Sequence, residues 1–137
     1  ADPGAQLVAL CHIHGIQVVP MVGPSSLMLA LMGSGLNGQS FAFCGYLSAK
    51  TDERRKAIRE IERRSSQLNQ TEIFIETPYR NDSMMADLLA ALQPKTRLCI
   101  AADITLPEET ILTKTVKEWQ RNGFQIGKRP CVFLILA

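Results

Sequence analysis

"VVPMVGPSSLMLALMGSG" (18–35) joins a β-branched apolar run, a Gly-Pro-Ser-Ser corner and an apolar run with helical character. A corner of this kind sets the free amides and positive dipole end of a helix beside the end of a strand. Open α/β sheets take ligands at that carboxyl edge. Gly23 would let a ligand approach the backbone closely, and Ser25 and Ser26 add hydroxyl groups. The corner carries no Lys and matches neither a G-x-G-x-x-G nor a Walker loop, which argues against a phosphate cradle. Taken alone, an ordinary capped corner is the simpler reading.

The pattern on either side decides the fold. Leu7, Val8, Leu10 and Cys11 suit the inner face of a short helix ending near Gly15, and 16–22 reads as a strand. Ser25 or Ser26 caps the following helix, which Gly33 and Gly35 end. A strand over 40–47 precedes a polar helix over 51–67, begun by Thr51 or Asp52, with Ile58, Ile61 and Leu68 as its inner stripe. A strand over 71–78 is stopped by Pro78, and a helix over 81–92 is capped by Asn81 or Asp82. Strands follow over 97–105 and 110–116, then a short helix near Trp119 and a closing strand over 130–137. Helices and strands alternate for most of the length. This predicts an α/β fold, with a mixed, largely parallel sheet of about five strands and helices on both faces. No repeat, low-complexity tract or linker is visible, so residues 1–137 read as a single domain.

Bulk composition sets limits. Hydrophobic residues make up 46% of the 137 and charged ones 20%, which is ordinary for a globular core. A net charge of +2 is too small to announce nucleic acid except through local clustering. Cys11, Cys44, Cys99 and Cys131 form no C-x-x-C pair, so neither a zinc knuckle nor a redox motif is indicated. Reduced thiols, no basic-then-apolar leader and no apolar run of about 18 residues point to a cytoplasmic protein without a membrane span. The opening Ala-Asp-Pro-Gly, without Met, is turn chemistry and reads as the continuation of something upstream.

Four further stretches carry residues that could do chemistry. In "IFIETPYRN" (73–81), Glu76 and Thr77 stand at the end of a buried strand, where polar side chains need a partner or a task. A Glu76–Arg80 ion pair and ligand binding explain them equally well. On the polar helix, Arg55, Arg59 and Arg63 fall at i, i+4 and i+8, one line along one face. Arg54, Lys56 and Arg64 flank the line and Lys50 precedes it. Asp52–Lys56 and Glu60–Arg64 can neutralise each other along the helix, leaving the central row to meet phosphates or solvent. The row has no interleaved aromatics for base stacking. His12 and His14 lie roughly 200° apart around a helix and cannot share a metal. Asp103 and the Glu108–Glu109 pair have no His or Lys in an activating position, so no triad is readable and no metal site is expected.

Taken together, these segments resemble the C-terminal domain of the tetrapyrrole methylase superfamily, the class III S-adenosylmethionine methyltransferases. The rRNA (cytidine-2′-O)-methyltransferase branch is the most similar. "DPG" (2–4) looks like the end of that branch's "SDPG" turn, and "VVPMVGPSS" resembles "V-P-x-P-G-P-S-A", with Val22 in place of a Pro. "FAFCGYL", Lys50 and Arg54–Arg55 are similar to "F-x-F-x-G-F-L-P-x-K…R", and "TEIFIETPYR" to "T-x-I-F-Y-E-S-P-H-R". "AADITLPEE" stands where that branch has "A-R-E-L-T-K-x-x-E", so Ala102, Asp103 and Leu106 depart from Arg, Glu and Lys.

The resemblance implies the C-terminal half of a two-domain methyltransferase, with the N-terminal domain absent from this chain. S-adenosylmethionine would lie in a cleft between the halves, with no membrane or metal involved. On this side the implied cofactor residues are Gly23, Pro24, Ser25, Ser26, Glu76, Thr77, Ile104, Thr105 and Pro130. The catalytic residue stays unassigned. The implied acceptor is a ribose 2′-hydroxyl of rRNA, with Lys50, Arg55, Arg59, Arg63 and Arg80 on RNA phosphates. A tetrapyrrole or other small-molecule acceptor, or a non-catalytic dimerisation domain, are the alternatives. A homodimer is expected, because apolar surface exposed without the other half calls for a cover.

Overall fold

Cys131–Leu136 (β5) is an unbroken apolar run with every residue buried, and it forms the middle strand of the sheet. A strand buried on both faces needs a layer on each side, and the rest of the chain supplies them. The computed structural model describes residues 4–137; Asp2 and Pro3 of the expected opening turn lie outside the described residues. In chain order the elements are α1 (Ala5–Ile13), α2 (Ser26–Ser34), β1 (Phe41–Tyr46), α3 (Thr51–Leu68) and β2 (Thr71–Ile75). A single 3-10 turn (Pro78–Arg80) leads to α4 (Asn81–Ala91), β3 (Arg97–Ala102), β4 (Thr110–Thr115), α5 (Val116–Asn122) and β5.

The five strands lie in the order β1-β2-β5-β3-β4. The α/β class, the five strands and the helices on both faces agree with the sequence reading. The sheet is mixed, as expected, but it is not largely parallel. Only β1 and β2 run parallel, joined by the α3 crossover; β5 is antiparallel to both β2 and β3, and β4 to β3. Apolar runs buried on both faces look alike in either direction, which is why periodicity could not set the orientation.

Alternation along β2, β3 and β5 divides the core in two. Phe74, Leu98, Ile100, Phe133 and Ile135 point to the layer formed by α3, α4 and α5, where Ile58, Met84, Leu88 and Trp119 are buried. Phe74 and Phe133 stack there with ring centroids 5.6 Å apart, and the Trp119 indole donates to the Leu98 carbonyl at 2.9 Å. Ile73, Cys99, Ala101, Val132 and Leu134 face α2, which buries Ala30 and Leu31. A Cβ on Gly33 would come within 2.9 Å of Ile111, so this residue sets how closely α2 approaches β4. Gly33 is therefore inside α2, and Gly35, with φ +67°, ends it.

Several local expectations change. Residues 16–22 form no strand: no strand of the sheet lies alongside, and Ile16, Val19, Met21 and Val22 are exposed. For the same reason α1 buries no residue, Leu7 and Leu10 included. Leu68 is exposed at the end of α3. The strands expected to reach residues 78 and 105 stop at Ile75 and Ala102. Asn81 and Asp82 do not cap α4. Instead the Asn81 amide donates to the carbonyls of Gly127 and Arg129, and the Asp82 carboxylate accepts from the amides of Ile126 and Gly127. Both residues are spent fixing the approach to β5.

The polar helix α3 is tied down by ion pairs that local spacing did not reveal. Arg54, almost wholly buried, binds the equally buried Asp87 of α4, with its Nε 2.6 Å from the carboxylate and a second contact through Nη2. Arg64 reaches across to Glu72 on β2 at 2.8 Å rather than back to Glu60. Cys44 lies against the same Glu72 carboxylate, 3.2 Å away; burial and that neighbour push its thiol up to about 11. Breaking a buried pair by removing one partner strands the other charge, at a cost of about 3–5 kcal/mol. Asp87→Ala should lower stability by an amount in that range in equilibrium urea unfolding. A loss under about 1 kcal/mol, the scale of an exposed pair, would show that the Arg54–Asp87 contact does not hold α3 to α4.

Candidate functional site

Because β5 runs against β2 and β3, its first residues stand beside the carboxyl ends of both. A cavity of about 390 Å³ opens at that edge. Ser26 at the start of α2, Ile75 and Glu76 at the end of β2, Ala101, Asp103 and Ile104 at and just beyond the end of β3, and Pro130 to Val132 at the start of β5 contribute to its wall. Four widely separated points of the chain thus meet in one concavity. Ser26, Glu76, Ile104 and Pro130 of the expected site are all in its lining. Gly23, Pro24, Ser25, Thr77 and Thr105 are not, although each adjoins a residue that is, or lies just before Ser26 in the corner.

The corner itself behaves as a capped helix start. The Ser25 hydroxyl accepts from the Met28 amide at 3.5 Å, leaving the Ser26 hydroxyl to the cavity. Gly23 has no left-handed φ, and a Cβ there would meet nothing within 4 Å. Nothing else in this domain therefore requires a glycine at 23.

Glu76 is the most unusual group in the wall. Its side chain is 0% exposed, and its Oε1 accepts four hydrogen bonds. They come from the Thr77 amide (2.7 Å) and hydroxyl (3.1 Å) and from Arg80 Nε (3.0 Å) and Nη2 (2.7 Å). Oε2 has no partner. Burial pushes the carboxyl up, but the Arg80 and Thr77 hydrogen bonds outweigh it and hold Glu76 below the usual carboxylate value. The expected Glu76–Arg80 ion pair is thus present, and it leaves one buried acceptor oxygen over.

The opposite wall is a strained loop. Asp103 and the β-branched Thr105 both adopt positive φ, 50° and 71°. Such backbone costs on the order of 1–3 kcal/mol at each residue and persists only where neighbours enforce it. Arg129 does so by donating to the Asp103 carboxylate at 2.5 Å and to the Glu108 carbonyl at 2.7 Å. The Thr105 amide donates to the Glu109 carboxylate at 2.7 Å. Asp103, Glu108 and Glu109 are therefore structural, each held by or holding this loop.

Sequence reading missed Ile75, Pro78, Ala101, Leu106, Cys131 and Val132 of the lining, and named Asp103 only as a candidate acid or base without an activating partner. The only available signal was their position, one or two residues from a strand end already singled out. Most of these are apolar, and no Lys or Arg is among them. Burial raises the Cys131 thiol to about 12, so it is no thiolate nucleophile near neutrality. The cavity can hold a largely apolar, flat or extended molecule with a few hydrogen-bonding groups; it is not built for a phosphate.

The expected row of RNA-facing cations is broken up. Lys50 pairs with Glu53, Arg55 with Asp87 and Arg80 with Glu76. Arg59, midway along α3, and Arg63, further along it, remain, but they line a groove at the sheet edge opposite the cavity. Among the described residues no group of three His, Cys, Asp or Glu could hold a metal ion, and no helix is long and apolar enough to cross a membrane.

No protein-family model matches the chain. It is 40% identical over 119 residues to the ribosomal RNA small subunit methyltransferase I of Neisseria meningitidis serogroup B, covering 87% of this chain and 39% of that protein. It is 36% identical over 137 residues to the protein of the same name from Escherichia coli O157:H7, covering 98% of this chain and 46% of that protein. The chain thus spans less than half the length of these curated relatives. Among solved structures, it resembles a uroporphyrin-III C-methyl transferase from Thermus thermophilus complexed with S-adenyl homocysteine. The TM-score is 0.53 at 16% identity, covering 97% of this chain and 58% of that one, a likeness of fold.

The lowered Glu76 group has a consequence in acid. A carboxyl depressed in the folded state adds stability above its unfolded value, about 4.3, and loses it as pH falls through the folded value. Wild type should therefore be more stable than Glu76→Gln at pH 7, and the gap should close below about pH 4. Urea unfolding of both proteins between pH 3 and 7 measures it; a gap independent of pH would refute the ion-pair description.

Proposed function

We propose that this chain is the cofactor-binding C-terminal half of a tetrapyrrole methylase-type methyltransferase that modifies small-subunit rRNA. The observation that carries the reading is the convergence of Ser26, Glu76, Ile104 and Pro130 on one cavity. Relatives at 36% and 40% identity are named for small-subunit rRNA methylation, which supports that acceptor over a tetrapyrrole. The exposed apolar α1 and 16–22 segment would pack against the other half of the longer protein.

The cavity suits S-adenosylmethionine on its own chemistry. Ile75, Ile104, Leu106 and Val132 offer apolar surface to an adenine ring or a thioether chain. Glu76 Oε2 is an acceptor awaiting a donor, and the ligand offers ribose hydroxyls, an exocyclic amine and an ammonium group. The Ser26 hydroxyl and the first-turn amides of α2 would meet its carboxylate or ribose. The absence of basic residues from the lining fits a ligand without phosphates. Gly23, Pro24, Ser25, Thr77 and Thr105 would act through the backbone beside these contacts. When bound, the cofactor supplies an electrophilic methyl group on a sulfonium.

For that chemistry this half has only to bind and orient the cofactor and exclude water. A ribose 2′-hydroxyl is the acceptor we assign, and any base that assists it would come from the other half. The two halves would meet across the cavity, and the whole protein would work as a homodimer in the cytoplasm. Isothermal titration of the full-length protein with S-adenosylhomocysteine tests the site. Ile104→Arg, which places an unpaired charge in the apolar wall, should weaken binding at least about tenfold, roughly 1.4 kcal/mol, with the fold retained by circular dichroism. Unchanged affinity would remove the cavity from the cofactor site. Methyl transfer to uroporphyrin-type substrates but not to small ribosomal subunits would overturn the rRNA assignment.

A further inference from the structure

A second groove, of about 530 Å³, lies at the sheet edge opposite the cavity. It runs between the last three turns of α3 and the Gln93–Thr96 loop that enters β3. Arg59, Arg63 and Lys95 line it. Most other basic residues of α3 are answered by acids: Arg54 and Arg55 by Asp87, and Arg64 by Glu72. Among the described residues, Arg59 and Lys95 have no hydrogen-bond or ion-pair partner, and Arg63 has only a 3.3 Å contact to Gln67. The one acidic side chain in the lining, Glu62, is buried. It is already engaged by the Gln93 amide at 2.8 Å and by the Thr96 hydroxyl. Three cations without an acidic partner therefore converge on a groove whose one acidic side chain is buried and already bonded.

We propose that this groove holds the sugar–phosphate backbone of the rRNA substrate, away from the nucleotide being methylated. The proposal rests on the rRNA reading above and locates its main electrostatic contact. Guanidinium groups take phosphate oxygens bidentately, and Arg59 and Arg63 stand one helical turn apart, about 6 Å along the axis, with Lys95 facing them. Ser66, Gln67 and Gln93 add neutral groups that can bond phosphates and ribose hydroxyls. No aromatic residue lines the groove, so it offers no platform for stacking bases and would read no sequence. Arg63 is about 18 Å along α3 from Thr51, which lies at the cavity end of the helix. Contacts in the groove are thus independent of the cofactor.

The test is the double variant Arg59→Glu with Lys95→Glu in the full-length protein. Fluorescence anisotropy with a labelled small-subunit rRNA fragment, over a range of salt, reads the binding. Affinity at about 0.1 M salt should fall at least tenfold, and the slope of log K against log salt should become shallower by about 2. S-adenosylhomocysteine affinity should stay unchanged, which also shows that the variant is folded. Arg121→Glu, an exposed charge reversal near the end of α5 and outside the groove lining, should bind RNA within about twofold of wild type. If the groove variant matches Arg121→Glu, or if Lys50→Glu at the cavity end does the damage instead, the groove is not the RNA contact and the rRNA reading stands. If the wild-type protein binds no rRNA, the substrate reading falls and the groove's assignment with it.

Discussion

The antiparallel insertion of β5 between β2 and β3 is the constraint on which the rest of this domain depends. Had the middle strand run the other way, Pro130 and Cys131 would stand at the far edge of the sheet from Glu76 and Asp103. Instead the start of one strand meets the ends of two others, and the cavity forms in the notch between them. Every residue of β5 is buried, so its register is held on both faces by apolar packing. Asn81, Asp82 and Arg129 then fix the chain just before it, through the carbonyls of Gly127 and Arg129, the amides of Ile126 and Gly127, and the Asp103 carboxylate.

The two edges of the sheet differ in chemistry, and the difference follows from how charges are spent. At the cavity edge Arg80 and Arg129 are consumed in ion pairs that shape the two walls, and the lining itself is left without a cation. At the opposite edge Arg59 and Lys95 are left unanswered. A neutral, mostly apolar pocket and a cationic groove are what a small zwitterionic ligand and a polyanion respectively require.

Much of this was legible in the sequence. The corner at 23–26, the strand ends near Glu76 and Ile104, and the approach to the last strand were each visible as places where apolar runs meet Gly, Pro or isolated polar residues. Their meeting in one cavity could be expected only from the resemblance to a known family, since spacing along a chain carries no long-range geometry. Strand direction was not legible, nor were the partners of Arg54, Arg55, Arg64, Asn81 and Asp82, all of which lie on other elements. Local helix spacing suggested Glu60 for Arg64, and a buried carboxylate on a neighbouring strand won. The expected strand at 16–22 has β-branched residues but no neighbouring strand within these residues to pair with. The Arg row read as one surface, and tertiary ion pairing divided it.

The central claim is that the notch beside Glu76 and Ile104 receives S-adenosylmethionine. Methyl NMR of the full-length protein, with isoleucine δ1 groups labelled, tests it most directly. On addition of S-adenosylhomocysteine, Ile75 and Ile104 in the cavity wall should shift, while Ile58 and Ile61 on α3 and Ile126 under α4 stay in place. Saturable binding that leaves Ile75 and Ile104 unmoved would contradict the account.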